Sequence, residues 1–224
     1  MYDAAYDPSM APVAIHSRFE RAEPRLAAPA QSGAKRCLDI VAAGLILVLL
    51  LPVLVLVALL VRLESPGPAL FRQRRGGVMG APFVIYKFRT MRVLEDGDDL
   101  KQATRQDARI TRIGALLRRT SVDELPQLLN VLKGDMSLVG PRPHALAHDR
   151  AFEEALPEYR RRFAVKPGIT GLAQVRGFRG ETSELEQIRG RLEWDLRYIE
   201  RWTIWRDLLV LLATLKTPLD RRAY

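Results

Sequence analysis

Residues 40–61 form an uncharged apolar run broken only by Pro52. A run of this length is enough to cross the ~30 Å hydrocarbon core of a bilayer as a helix. Any fold for this chain must bury that surface or give it to lipid. Pro52 complicates a plain crossing, because proline removes a backbone donor and bends a helix. The flanks constrain it further: Lys35 and Arg36 precede the run, while Arg62, Arg72, Arg74 and Arg75 follow. A spanning helix concentrates lysine and arginine on one side. Basic flanks at both ends fit a re-entrant segment that turns back at Pro52, each half dipping roughly 15–18 Å. A kinked spanning helix is the alternative.

The chain of 224 residues carries a net charge of +9, which points to a polyanionic partner: nucleic acid, an acidic membrane surface or phosphorylated substrates. No helix-turn-helix, zinc finger or aromatic RNA-binding pattern is present, so nucleic acid is not expected. Cys37 is the single cysteine, which precludes an intrachain disulfide. Beside an apolar run it reads as a small buried hydrophobe. Residues 1–33, rich in alanine, proline and scattered charge, read as a disordered tail and not as a signal peptide. Residues 218–224 read as a C-terminal tail.

The densest chemistry lies between Arg118 and Pro143. Leu125, Leu128, Leu129 and Leu132 recur at helical spacing, Pro126 suits a first turn, and Gly134 is a natural stop. This places the adjacent acids Asp123 and Glu124 at or just before a helix N-terminus, with Arg118, Arg119 and Arg142 nearby in sequence. Two acids among arginines at a helix start suit a phosphate bridged by a divalent cation. They equally suit a capping box in which Ser121 and Glu124 satisfy orphan amides.

Elsewhere, residues 70–74 and 83–89 read as a β-hairpin around the glycine-rich turn 76–80. Phe83, Ile85, Lys87 and Arg89 share one strand face, so the two cations form an anion clamp or a solvated edge. Residues 95–101 are an acidic loop, and Ile113, Leu116 and Leu117 mark a short helix. His144 and His148 have the spacing of a zinc pair but no evident third ligand. Residues 152–163 read as helix, and the glycine-bearing loop 166–171 could present amides to a ligand. Residues 183–202 form a strong amphipathic helix capped by Ser183 and Glu186. Asp195 on its edge is either an arginine partner or a site residue. Residues 202–215, with two tryptophans, Arg206 and Asp207, suit an interfacial helix or a core helix.

Lys87-Phe88-Arg89-Thr90-Met91, Arg118 through Gln127, Gly140-Pro141-Arg142-Pro143 and Lys166 through Gly171 occur in that order behind the proline-broken run. Together they resemble the bacterial sugar transferase family, the small monotopic phosphoglycosyl transferases, over residues 35–215. The resemblance implies a mostly helical α+β protein: a re-entrant membrane helix hairpin over residues 34–64 broken at Pro52, then a catalytic domain over residues 65–217. That compact domain would hold a small β-hairpin and interfacial amphipathic helices at the cytoplasmic face of the bacterial inner membrane. It implies transfer of a sugar 1-phosphate, a hexose 1-phosphate foremost, from a UDP-sugar to undecaprenyl phosphate with release of UMP, the priming step of exopolysaccharide, capsule or O-antigen assembly. By motif match Asp123 and Glu124 are the catalytic dyad and Arg142 lies near a phosphate. Arg118, Lys87 and Arg89 are further phosphate-binding candidates, and Asp123, Glu124 and Asp195 are candidate Mg2+ ligands. A homodimer among inner-membrane lipids is left open. The competing reading is a membrane-anchored basic binding protein without catalysis.

Overall fold

A computed structural model describes residues 25–92, 107–178 and 185–215. It is mostly helical with two small sheets. In order it runs α1 (Ala28–Gln31), α2 (Gly33–Glu64), β1 (Leu70–Gly76), β2 (Pro82–Phe88), α3 (Arg112–Thr120), α4 (Leu128–Lys133), β3 (Ser137–Val139), α5 (Leu146–Ala155), β4 (Gly168–Thr170), α6 (Leu172–Val175), α7 (Leu185–Glu200) and α8 (Ile204–Thr214). The acidic loop 95–101, Ser183 and the tail 218–224 lie outside the described residues.

Helix α2 begins at Ser32, whose side chain accepts from the Lys35 amide. It continues through Pro52 as one helix, long and apolar enough to cross a membrane. This differs from the expected break: Pro52 lies inside one continuous helix and does not separate two antiparallel arms. Proline forfeits one i→i−4 bond, and the packing of the opposite face offsets that loss. Lys35, Asp39, Ala43, Leu54, Val57 and Val61 are buried at helical spacing, and Leu47 joins both hydrophobic clusters that the helix touches. The outer face, Pro52 included, is exposed, with Val48 and Leu49 each at 73%. Cys37 lies exposed too, contrary to its reading as a buried hydrophobe.

Both ends of α2 are tied to the same body. At the start, Lys35 Nζ donates to Asp207 and to the Val139 carbonyl, Asp39 accepts from Ser137 Oγ and the Leu138 amide, and Arg36 donates to the Val131 and Leu132 carbonyls. At the end, Glu64 accepts from the Ile113 amide. The lost solvation of a buried Lys–Asp pair is repaid only in good geometry, which Lys35–Asp207 at 2.7 Å has. Order also begins earlier than residue 33, since the Ala27 amide donates to the Ala164 carbonyl and Pro29 is buried.

Strands β1 and β2 pair antiparallel, Leu70 opposite Phe88 and Gly76 opposite Pro82, around a turn with Met79 at φ 56°. Asn130 extends this sheet by accepting from the Tyr86 amide and donating to the Val84 carbonyl. Strands β3 and β4 pair parallel. The expected helix over 152–163 is instead α5 followed by a 3-10 helix, Pro157–Ala164, because a residue before proline is pushed out of helical geometry. On α8, Val210 and Asp207 are buried while Trp205, Leu209 and Leu212 are exposed, the pattern of an interfacial helix.

Candidate active site

The acids Asp123 and Glu124 do not open an α-helix. They lie in a 3-10 helix, Val122–Gln127, that leads into α4. Ser121 takes a left-handed conformation (φ 59°) to end α3 and start this turn, and its side chain makes no cap. The capping box is therefore replaced by a charge cluster. The α3 stop and the α4 stop at Gly134 (φ 94°) fix the turn from both sides.

Glu124 is saturated. Arg142 reaches both of its oxygens, Nη1 to Oε2 at 3.1 Å and Nη2 to Oε1 at 2.6 Å, and Lys87 Nζ donates to Oε1 at 2.9 Å. Burial would raise the Glu124 pKa, but Arg142 and Lys87 outweigh it and hold the carboxyl well below the usual range. Lys87, from the end of β2, is itself lowered by burial, with Glu124 opposing.

Asp123 differs. It is 9% exposed and makes no hydrogen bond or ion pair among the described residues. Burial first, and the neighbouring Glu124 charge second, push its pKa up to about 6, while Lys87, Arg142 and Arg118 pull the other way. Two adjacent carboxyls thus hold protons differently, as acid pairs with divided roles do.

Arg118, in the last turn of α3, sits close enough for its charge to act on Asp123 and donates to the Met91 sulfur. Arg89 goes elsewhere. Its guanidinium is buried against the end of α2, donating to the carbonyls of Val61, Ser65 and Pro66. That corrects its reading as a phosphate ligand: strand alternation ends at Phe88, and a helix C-terminus is a strong acceptor for arginine. Asp195 is also absent from the dyad; it is paired with Arg162 Nε at 2.8 Å, both buried. Of its two readings the arginine partner stands, and the metal ligand falls.

Among the described residues no group of three or more metal-ligating side chains exists. Magnesium typically takes one or two carboxylates and completes its shell with water and substrate phosphates. Asp123 fits that part, whereas Glu124 would have to release Arg142 or Lys87. His144 is not half of a zinc pair: Arg191 donates to its Nε2 and Tyr159 Oη lies 2.5 Å from its Nδ1. The 166–171 loop is not a phosphate cradle either. The Gly168 amide donates to Pro141, and a Cβ on Gly168 would come 2.1 Å from the Gly140 nitrogen. Its glycines serve close backbone packing behind Arg142.

Sequence reasoning missed Arg162 and Arg75. They donate to the carbonyls of Arg142 (2.7 Å) and Pro143 (3.1 Å). One clue was available: a Pro-Arg-Pro segment has few amides of its own and must be held by its carbonyls.

A profile of the bacterial sugar transferase family matches residues 30–221. The chain is 58% identical over 185 residues to a UDP-glucose:undecaprenyl-phosphate glucose-1-phosphate transferase of Caulobacter vibrioides, covering 83% of this chain and 69% of that protein. It is 51% identical over 191 residues to the protein of the same name from Escherichia coli, covering 85% of this chain and 41% of that longer protein. It is 49% identical over 191 residues to an exopolysaccharide production protein of Rhizobium leguminosarum bv. phaseoli, covering 84% of this chain and 96% of that protein.

Proposed function

The chain belongs to the bacterial sugar transferase family, and from that premise we propose that it transfers glucose 1-phosphate from UDP-glucose to undecaprenyl phosphate, releasing UMP, as the priming step of an exopolysaccharide. The names of the two glucose-1-phosphate transferases support donor and acceptor. The observation that carries the chemistry is the unpaired Asp123 beside the saturated Glu124. In the first step an Asp123 oxygen attacks the glucose-bearing phosphorus. The bond from that phosphorus to the bridging oxygen breaks, and UMP leaves with the electron pair. In the second step a phosphate oxygen of undecaprenyl phosphate attacks the same phosphorus, the acyl phosphate bond breaks, and Asp123 returns as a carboxylate.

Glu124 keeps Arg142 and Lys87 beside Asp123, where their charge meets the equatorial oxygens of the transferring group. Arg118 adds positive charge from α3. Magnesium, held by Asp123 and the donor's diphosphate oxygens, would neutralise charge on the diphosphate.

The acceptor is confined to a bilayer and the donor to water. Both ends of α2 are tied to one body, which supports laying its exposed apolar face into the cytoplasmic leaflet of the inner membrane beside that body and not carrying one end across to the far side. The exposed apolar faces of α2 and α8 would then share one leaflet. The test uses detergent-solubilised protein with UDP-glucose and Mg2+ and no lipid. A burst of UMP with glucose retained on the protein is expected. UMP release that strictly requires undecaprenyl phosphate would rule out the covalent route.

A further inference from the structure

The segment Pro141-Arg142-Pro143 is held by three successive carbonyls: Pro141 accepts from the Gly168 amide at 2.9 Å, Arg142 from Arg162 Nη2 at 2.7 Å, and Pro143 from Arg75 Nη1 at 3.1 Å. Prolines lack the amide that would otherwise anchor such a stretch. Its orientation therefore depends on what donates to it.

Arg162 is the central donor and is itself over-determined. Its Nε pairs with Asp195, its Nη1 donates to Tyr159 Oη at 2.6 Å, and its guanidinium lies 4.8 Å from the Tyr159 ring centroid. Tyr159 is satisfied in turn. His144 lies within the same network: Arg191 Nη1 is 2.8 Å from its Nε2, while Arg162 Nη1 (3.2 Å) and Tyr159 Oη (2.5 Å) both face its Nδ1. The phenol accepts from Arg162 Nη1 and donates to Asp149 Oδ1 at 2.7 Å. Burial first, then Arg162 and Arg191, hold the His144 pKa well below the usual range, so the ring stays neutral. Since His144 follows Pro143 directly, the same network grips the chain on both sides of the second proline.

We propose that Arg162, locked by Asp195, is the positioning residue of the site. Through the Arg142 carbonyl it sets where the Arg142 guanidinium lies against Glu124, and so sets the rate of the phosphoryl step without touching substrate. The inference rests on the role given to Arg142 above. Lysine at 162 keeps the charge but loses the planar fork that serves several acceptors at once. A displacement of about 1 Å at a reacting group costs on the order of 10²-fold.

The experiment is a kinetic cycle on the full chain in detergent, reading initial UMP release from UDP-glucose. Arg162→Lys and Asp195→Asn should each lower kcat about 10- to 100-fold while KM for UDP-glucose stays within about threefold. In an Arg142→Ala background either change should cost less than about threefold more, because the guanidinium it positions is gone. The Mg2+ concentration for half-maximal rate should not move in Asp195→Asn. Losses that multiply in the double variants overturn the proposal, as does a raised KM with kcat intact or a shifted Mg2+ dependence. If Arg162→Lys melts too low to assay, the near-isosteric Asp195→Asn carries the same cycle. Absence of UMP release from the unmodified chain sinks the transfer reaction itself and the positioning role with it; additive losses in an active enzyme sink the positioning alone.

Discussion

The buried cluster of acids and arginines around Glu124 and the one around Arg162 are finished differently. Around Arg162 each named partner is internal, and Asp195, Tyr159 and His144 close the knot. Around Glu124 the pairing with Arg142 and Lys87 is equally tight, yet the Asp123 carboxyl beside it has no hydrogen-bond or ion-pair partner among the described residues and its pKa rises to about 6. A buried carboxyl without a partner is costly. Its retention next to a paired neighbour is what the proposed reaction would require of an attacking carboxylate. Arg142 belongs to both clusters, its guanidinium to the first and its carbonyl to the second. In the proposed reaction one cluster does chemistry and the other holds it still.

Asp123→Asn breaks this contrast hardest. It should cut UMP release by about 10³-fold or more and abolish trapping of labelled glucose on the protein. Substantial activity would reduce Asp123 to a merely strained acid. Next in size, Arg142→Ala should lower kcat by about 10²- to 10³-fold, the scale of losing one preorganised donor to a developing oxyanion. An effect confined to KM would assign Arg142 to donor binding alone. A third test reads pH. Asp123 must be ionised to attack, so kcat/KM for UMP release should rise about tenfold per pH unit and level off above about pH 6. Glu124→Gln removes a neighbouring negative charge that raises the Asp123 pKa, so the inflection should move to lower pH. An unmoved inflection would detach it from the dyad.

The adjacent acids Asp123 and Glu124 and the helix stop at Gly134 could be read from the sequence, but Ser121, which reads as a cap, is instead the left-handed stop of α3 that opens their turn. Lys87 and Arg89 show where such reading fails. They look equivalent on an alternating strand, but only tertiary structure reveals that β2 ends at Phe88 and that the end of α2 captures Arg89. Asp195 and Arg162 are far apart in the chain, and with 35 lysines and arginines available no spacing rule picks the partner. The inner stripe of α2 was hidden for the opposite reason. A helix apolar all round carries no moment to say which side packs, and Lys35 looked like a flank though it is a buried anchor. Pro52 was visible, but its place on the outer face of one continuous helix was not.

The smallest expected effect concerns a second raised acid, Asp149, and separates the two meanings of an elevated pKa. Burial pushes its carboxyl up to about 6, like Asp123. Its Oδ1 accepts from Tyr159, while Oδ2 is buried without a hydrogen-bond partner among the described residues. It is buried beside β1, where a Cβ on Gly76 would come 2.5 Å from Oδ2, and it lines a small pocket with Arg142 and Arg162. Its carboxyl hydrogen-bonds to Tyr159 and, among the described residues, to neither Asp123 nor Glu124, so its protonation should register in stability more than in turnover. The folded pKa lies above the ordinary carboxylate value of about 4, so its contribution is complete below that value and is lost as pH rises through about 6. Asparagine keeps the acceptor for Tyr159 and never ionises. Asp149→Asn should therefore melt with the wild type at pH 5 and a few degrees above it at pH 8, with kcat at pH 7.5 within about threefold of the wild type. A variant that instead melts below the wild type at pH 8 would show that the ionised Asp149 is stabilised there. The Arg162 knot would then hold a working charge and would be less of a passive brace than its closed hydrogen bonding indicates.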